Sequence, residues 1–266
     1  MSIDKKSWIK IIGMFLLFSA ILIIDAVYVK NREGGQLISA YSGFYLYYAM
    51  QDLTLYLVYF IGICILANEL YAIDCFKMHK NKFDHMIIQR KGYVSAQRMM
   101  IMKNTCISGA VFLLAHIVLL SFIHCFLQPL YAEGILVSEN MCLLASDVTL
   151  NLVLYLVLST AGMILFSDLI LMLRFVIKNI YVYAVTGIII GLALYLIPPF
   201  AANALGIGKQ VLMIPFIANI LLPGLETYLV GQVDPLVMYG LAFLFYLIVL
   251  VIGGKFVMNR GHQYGW

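Results

Sequence analysis

From Asn104 to Gln128 the chain runs without a single Asp, Glu, Lys or Arg. As an α-helix at about 1.5 Å per residue, a stretch of this length is longer than the roughly 30 Å of a bilayer's hydrocarbon core. A backbone laid in lipid has no water to bond, so such a run must close its hydrogen bonds internally. Five further apolar stretches repeat the pattern. The spans are read as about 8–29, 50–69, 104–128, 148–167, 180–197 and 235–254. The predicted fold is an all-α polytopic membrane protein, with residues 1–266 forming a single transmembrane domain. Only 11% of the 266 residues are charged and 64% are hydrophobic, against about 25% charged in an ordinary soluble domain. No cleavable signal peptide is expected, because no small-residue cleavage motif ends the first apolar run.

One long stretch, Glu69 to Lys103, is polar. It holds seven of the seventeen Lys and Arg, namely Lys77, Lys80, Lys82, Arg90, Lys91, Arg98 and Lys103. With the N-terminus inside and six spans, fourteen of the seventeen cations fall on the cytoplasmic side. Lys30, Arg32 and Lys209 fall outside, and most carboxylates follow them. This positive-inside bias predicts a multi-pass protein of the cell membrane with cytoplasmic N- and C-termini. Cys75 is then cytoplasmic and Cys142 lies near the outer face. The net charge of +4 is explained by topology and calls for no nucleic acid.

Several chemistries find no residues to carry them. The five cysteines form no CxxC pair and give no metal or disulfide pattern. Gly206-Ile207-Gly208-Lys209 lacks the upstream glycine of a phosphate loop, since Asn203 stands there. Neither Gly-x-Ser-x-Gly nor His-Glu-x-x-His occurs, so no catalytic residue and no metal ligand is assigned. His116 and His124 stand eight apart on one helix face, and helix packing accounts for them better than haem. The span centres are nearly free of ionisable groups. Asp25 and Glu69, close to span ends, are the candidate gate or span-end polar residues. Tyr41, Tyr45, Tyr47 and Tyr48 suit an aromatic belt at headgroup level, on a surface half-helix or an extension of span 2. Pro198-Pro199 is read as the stop of span 5. Gly187 and Gly191 form a small-xxx-small pattern that permits close helix approach, and give a weak indication of a dimer face. Residues 200–234, broken by Gly and Pro, are read as short outer helices, re-entrant or on the surface.

Within the polar stretch, Phe83, Met86 and Ile87 are spaced i, i+3 and i+4, the pattern of a short amphipathic helix. Arg90 and Lys91 suit its last turn, and Gly92 suits its C-terminal stop.

The order of these features resembles the ABC-2 family of permeases, the six-span membrane subunits of bacterial ABC exporters. The resemblance rests on the short cytoplasmic start, Glu69 at the end of span 2, and the basic segment with its short helix. It continues through Ile87-Ile88-Gln89-Arg90-Lys91-Gly92-Tyr93, Lys103 opening span 3, and short outer helices between spans 5 and 6. The family often has Gly-Thr soon after the glutamate, where this chain has Leu70-Tyr71-Ala72-Ile73-Asp74. The resemblance implies a permease subunit that is not itself an enzyme. It would pair with a separate ABC ATPase subunit holding ATP and Mg, and with a second permease subunit as a homo- or heterodimer. This chain would carry no cofactor of its own. Phe83, Met86, Ile87, Arg90, Lys91 and Gly92 would form the ATPase-coupling element, and the cargo would be a peptide, antibiotic or lipid-like amphiphile. A different class remains compatible with the residues: a non-transport membrane scaffold or sensor whose basic loop binds a partner or anionic lipid.

Overall fold

The computed structural model describes residues 5–32, 43–51, 57–81, 87–90, 92–130, 144–145, 147–205, 209–225 and 233–263. Among them no strand occurs, and six helices are long and apolar enough to cross a membrane. In chain order the helices are α1 (Lys5–Arg32), α2 (Gly43–Ala49), α3 (Leu57–Glu69), α4 (Ala72–Lys80) and α5 (Tyr93–Phe122). They are followed by α6 (Val148–Met172), α7 (Ile180–Leu205), α8 (Lys209–Leu212), α9 (Ala218–Leu221) and α10 (Pro235–Gln263). The helices long and apolar enough to cross are α1, α3 continued by α4, α5, α6, α7 and α10.

The core lies between α1, α3, α5 and α6, where Leu22, Phe60, Phe112 and Phe166 are fully buried. The faces of α1, α7 and α10 turned away from it carry large exposed apolar side chains such as Leu16, Ile189 and Ile248, as lipid-facing surfaces do.

Several helices run past the bounds suggested by their apolar content. α5 begins at Tyr93, and the polar residues 94–103 are its first turns. α6 continues through Asp168 to Met172 and closes in a 3₁₀ turn over Leu173–Phe175. Asp168 can lie inside this helix because its carboxylate is bonded: Asn104 Nδ2 donates to Oδ1 at 2.8 Å and Thr105 Oγ1 to Oδ2 at 2.9 Å. A buried carboxylate is tolerated only when its lone pairs are taken in this way. Asp147 caps the other end of α6, accepting from Leu150 N at 2.7 Å, as a short acceptor does at a helix N-terminus.

Pro198 and Pro199 do not stop α7, which passes through both to Leu205. Proline removes an N–H and leaves the carbonyl four residues earlier without its helical donor. Here the carbonyl of Leu194 accepts the backbone N–H of Ile217 at 3.3 Å, from the segment before α9. That segment is interior, with residues 216–222 fully buried. Asn219 Nδ2 donates to Met213 O at 2.7 Å, and the Tyr246 hydroxyl of α10 donates to Pro215 O. Gly162 of α6 makes the room. A Cβ built there would stand 1.8 Å from the Ile220 carbonyl oxygen.

Gly187 and Gly191 also face inward. Their added Cβ atoms would meet Cys64 O at 2.5 Å and Cys64 Sγ at 2.4 Å. The small-residue pair therefore seats α7 on α3 of the same chain, and Asn68 Nδ2 ties the two by donating to Ala184 O at 2.6 Å.

Candidate functional site

The polar stretch begins as a continuation of span 2. Glu69 is the last residue of α3, and after the turn at Leu70 and Tyr71 the chain resumes as α4. Glu69 is half-buried, with Lys10, Lys77 and Asp74 as its electrostatic neighbours. α4 is fastened to three other helices. Lys10 of α1 pairs with Asp74 at 3.0 Å and also donates to Leu70 O at 3.2 Å. Phe76 stacks on Tyr183 of α7 with ring centroids 4.5 Å apart. His79 meets the edge of Phe175, beyond α6, at 5.1 Å. Cys75 is buried here.

Of the six predicted coupling residues, Phe83, Met86 and Lys91 lie outside the described residues. Ile87, Arg90 and Gly92 are described. Residues 87–90 form a helical turn whose Ile87 is half-buried and packs on the bundle's own core, while Arg90 is exposed. Gly92 ends that turn, its N–H donating to Ile88 O at 2.8 Å, and its own carbonyl accepts from Ala96 N at 3.1 Å inside α5. Its backbone sits at φ 78°, ψ 152°. This lies outside the left-handed helical well expected of a C-terminal stop, in a region essentially reserved for glycine. No other atom would touch an added Cβ, so glycine is required here by the backbone alone.

The other predicted polar residue, Asp25, lies about two turns inside the end of α1, because the helix runs on to Arg32. It is 4% exposed. It lines a groove of about 440 Å³ with Tyr28, Arg32, Leu57 and Val58, and its Oδ2 has no hydrogen-bond partner.

The largest buried polar cluster surrounds His116. α2, read from its tyrosines as a surface belt, is instead interior: Phe44, Leu46, Tyr47 and Tyr48 are buried. The Tyr47 hydroxyl is 2.8 Å from His116 Nδ1, and the Tyr59 hydroxyl is 3.1 Å from Nε2. Tyr155 donates to Gln51 Oε1 at 2.6 Å, and Gln51 Nε2 donates back to the Tyr47 carbonyl at 2.7 Å. An amide oxygen only accepts, so the single Tyr155 proton is committed to Gln51. A neutral imidazole donates from one ring nitrogen and accepts at the other, so one of Tyr47 and Tyr59 donates to His116 and the other accepts from it. Both ring nitrogens are engaged, so this histidine is a packing centre joining α2, α3, α5 and α6. His124 stands apart, exposed near the end of its span, where Nδ1 accepts from Leu130 N at 3.3 Å. The spacing of the two histidines gave no sign of these tyrosine partners, which come from distant parts of the chain.

No group of three or more metal-ligating side chains occurs among the described residues. No protein-family model matches the chain, and neither a curated protein nor a solved structure matches it.

Proposed function

We propose that this chain is the membrane-spanning permease subunit of an ATP-driven exporter, coupled to a separate ATPase chain through the polar stretch between its second and third spans. The observation that carries the reading is the mechanical fastening of this stretch. α4 is held to α1 by Lys10–Asp74 and to α7 by Phe76–Tyr183. The turn at 87–90 is held to the core by Ile87 and to α5 by the glycine-only junction at Gly92. A displacement applied from the cytoplasm to α4 would pass to α1 and α7, and one applied at this turn would pass to α5. In this reading Phe83 to Lys91 is the coupling helix, Phe83 and Met86 seat it in the ATPase, and Ile87 is its root in the permease. Segment 209–225, whose residues 216–222 are buried against α6, α7 and α10, acts as the outer re-entrant element. A second permease subunit would complete the path for an amphipathic cargo.

A pull-down and a transport assay on the same variants test this. Phe83→Ala with Met86→Ala should abolish ATPase capture, because buried anchors dominate such contacts, often at about 2 kcal/mol or more each. Lys91→Ala should change little, as an exposed rim charge contributes about 0–1 kcal/mol. Gly92→Val removes no contact but forces a forbidden backbone, so transport should fall more than capture does. Wild-type capture and transport by the double variant would reject the coupling role and leave the scaffold reading in its place.

The orientation is tested separately. Because Cys75 is buried, its protection from reagents would say nothing about sidedness. Gln89 and Gln210 are exposed. In a cysteine-free background, an impermeant maleimide should label Gln210→Cys on intact cells and Gln89→Cys only after permeabilisation. The reverse pattern would place the polar stretch outside.

A further inference from the structure

A second groove, of about 460 Å³, opens between the start of α5, the end of α6 and the end of α10. Its polarity is graded along the helices that line it. Arg98 lies about one turn into the span that begins at Val94, and Lys255 is the last residue of the span that begins at Pro235. Both cations are exposed and stand at the same end of the bundle. Further along α5 and α10 from the two cations the lining is largely apolar and includes Met102 and Leu250, with Met172 of α6 also lining it, and no carboxylate lines the groove among the described residues. The nearest one described, Asp168, is turned to Asn104 and Thr105.

Gln97 supplies an independent observation. It also lines the groove and is 9% exposed. Its Oε1 accepts from Arg174 Nη2, which sets the amide so that Nε2 faces away from the arginine. That Nε2 is buried without a hydrogen-bond partner. Arg174 is itself 3% exposed and rests over the Phe175 ring at 4.6 Å. It makes no ion pair among the described residues, and its Nη1 is likewise unpartnered. The Arg174 Nη1 and the Gln97 Nε2, both buried and without an acceptor, are costly polar groups left unmet. Two exposed cations beside them call for an anion at headgroup depth, and the apolar floor calls for hydrocarbon beneath it.

The geometry points to a binding site for one anionic phospholipid. Its phosphate would be held by Arg98, Lys255 and the Gln97 amide, with Arg174 behind the amide, and an acyl chain would lie along Met102, Met172 and Leu250. Exposed lysine and arginine near a membrane surface attract anionic lipid without specificity. The stranded Gln97 donor makes this site specific to one pocket. The inference does not depend on an ATPase partner.

Titration of the purified full chain in neutral detergent with phosphatidylglycerol, phosphatidylcholine and inorganic phosphate tests it, read by native mass spectrometry and by Tm. Phosphatidylglycerol should bind saturably and raise Tm by several degrees, while phosphatidylcholine and phosphate should not. Arg98→Gln with Lys255→Gln changes only exposed side chains and should weaken phosphatidylglycerol binding at least tenfold, with the protein still folded. Met102→Trp should fill the tail of the groove and weaken binding similarly. An equal response to phosphatidylcholine would overturn headgroup recognition. An equal response to phosphate would make the site one for a free anion rather than a lipid. Unchanged phosphatidylglycerol binding in both variants would place the lipid elsewhere.

Discussion

Gly162→Val should leave almost no folded protein in the membrane, and Gly162→Ala should lower Tm sharply. The first added atom would stand 1.8 Å from the Ile220 carbonyl oxygen and 2.5 Å from its carbon, where unstrained heavy-atom contacts are about 3.5–4.0 Å. The obstacle is backbone, so no rotamer change relieves it. Either α6 or the segment through Ile220 must move by more than an ångström. That segment cannot yield cheaply, because Leu194, Tyr246 and Asn219 all bond to it or within it. Overpacking a core costs typically about 1–3 kcal/mol, and a backbone-to-backbone clash belongs at or above the top of that range. Gly13 is the internal control. Nothing lies within 4 Å of a Cβ there, so Gly13→Ala should be neutral or gain about 0.5–1 kcal/mol from helix propensity. Fluorescence-detected size exclusion and thermal melts on the three variants read both effects. If Gly162→Ala melts with Gly13→Ala, the segment at Ile220 does not lie against α6.

His116→Leu should be nearly as damaging, for a polar reason. It takes the 2.8 Å partner from Tyr47 and the 3.1 Å partner from Tyr59 in a site with no exposure. A buried hydroxyl left without its partner costs about 1–3 kcal/mol, so a loss of about 2–6 kcal/mol is expected from the two together. Tyr47→Phe and Tyr59→Phe each remove one of the two hydroxyls at the ring and leave the other in place, so each should cost less than His116→Leu. His116→Leu with Tyr47→Phe should cost less than the sum of the singles, because the second change removes a group the first has stranded. Thermal melts of the four variants decide this, and strict additivity would show that Tyr47 and His116 are not bonded.

The six helices long and apolar enough to cross a membrane were legible because a 20-residue apolar run in lipid has few conformational choices. What lay between them was less so, for reasons specific to each residue. Tyr47 and Tyr48 read as headgroup residues because a tyrosine is half apolar and half polar, a description that fits a wet interface and a bonded interior equally well. Pro198-Pro199 read as a stop because local rules count only the lost helical bond. The Ile217 N–H that takes over the Leu194 carbonyl is far along the chain. The spacing of Gly187 and Gly191 indicated a close contact without naming the partner, and the partner is Cys64 of the same chain. Asp168 read as a break in span 4 because its bonds to Asn104 and Thr105 depend on tertiary placement. At the coupling stretch the legible part was Gly92, where a positive φ was expected and occurs. The fastening of α4 by Lys10 was not legible, since two opposite charges 64 residues apart carry no mark that they meet.

The bond from Ile217 to Leu194 also bears on how this protein can be recombined with others. The second half of α7 and the segment after it share one hydrogen-bonding account, so they form a single exchangeable block. A chimaera joined between Leu205 and Lys209 would bring the proline-bearing helix together with a foreign segment not shaped to present an N–H to the Leu194 carbonyl. A junction at 176–179 paired with one at 233–234 would carry the donor and acceptor across together. Grafting experiments on this block have their natural breakpoints there.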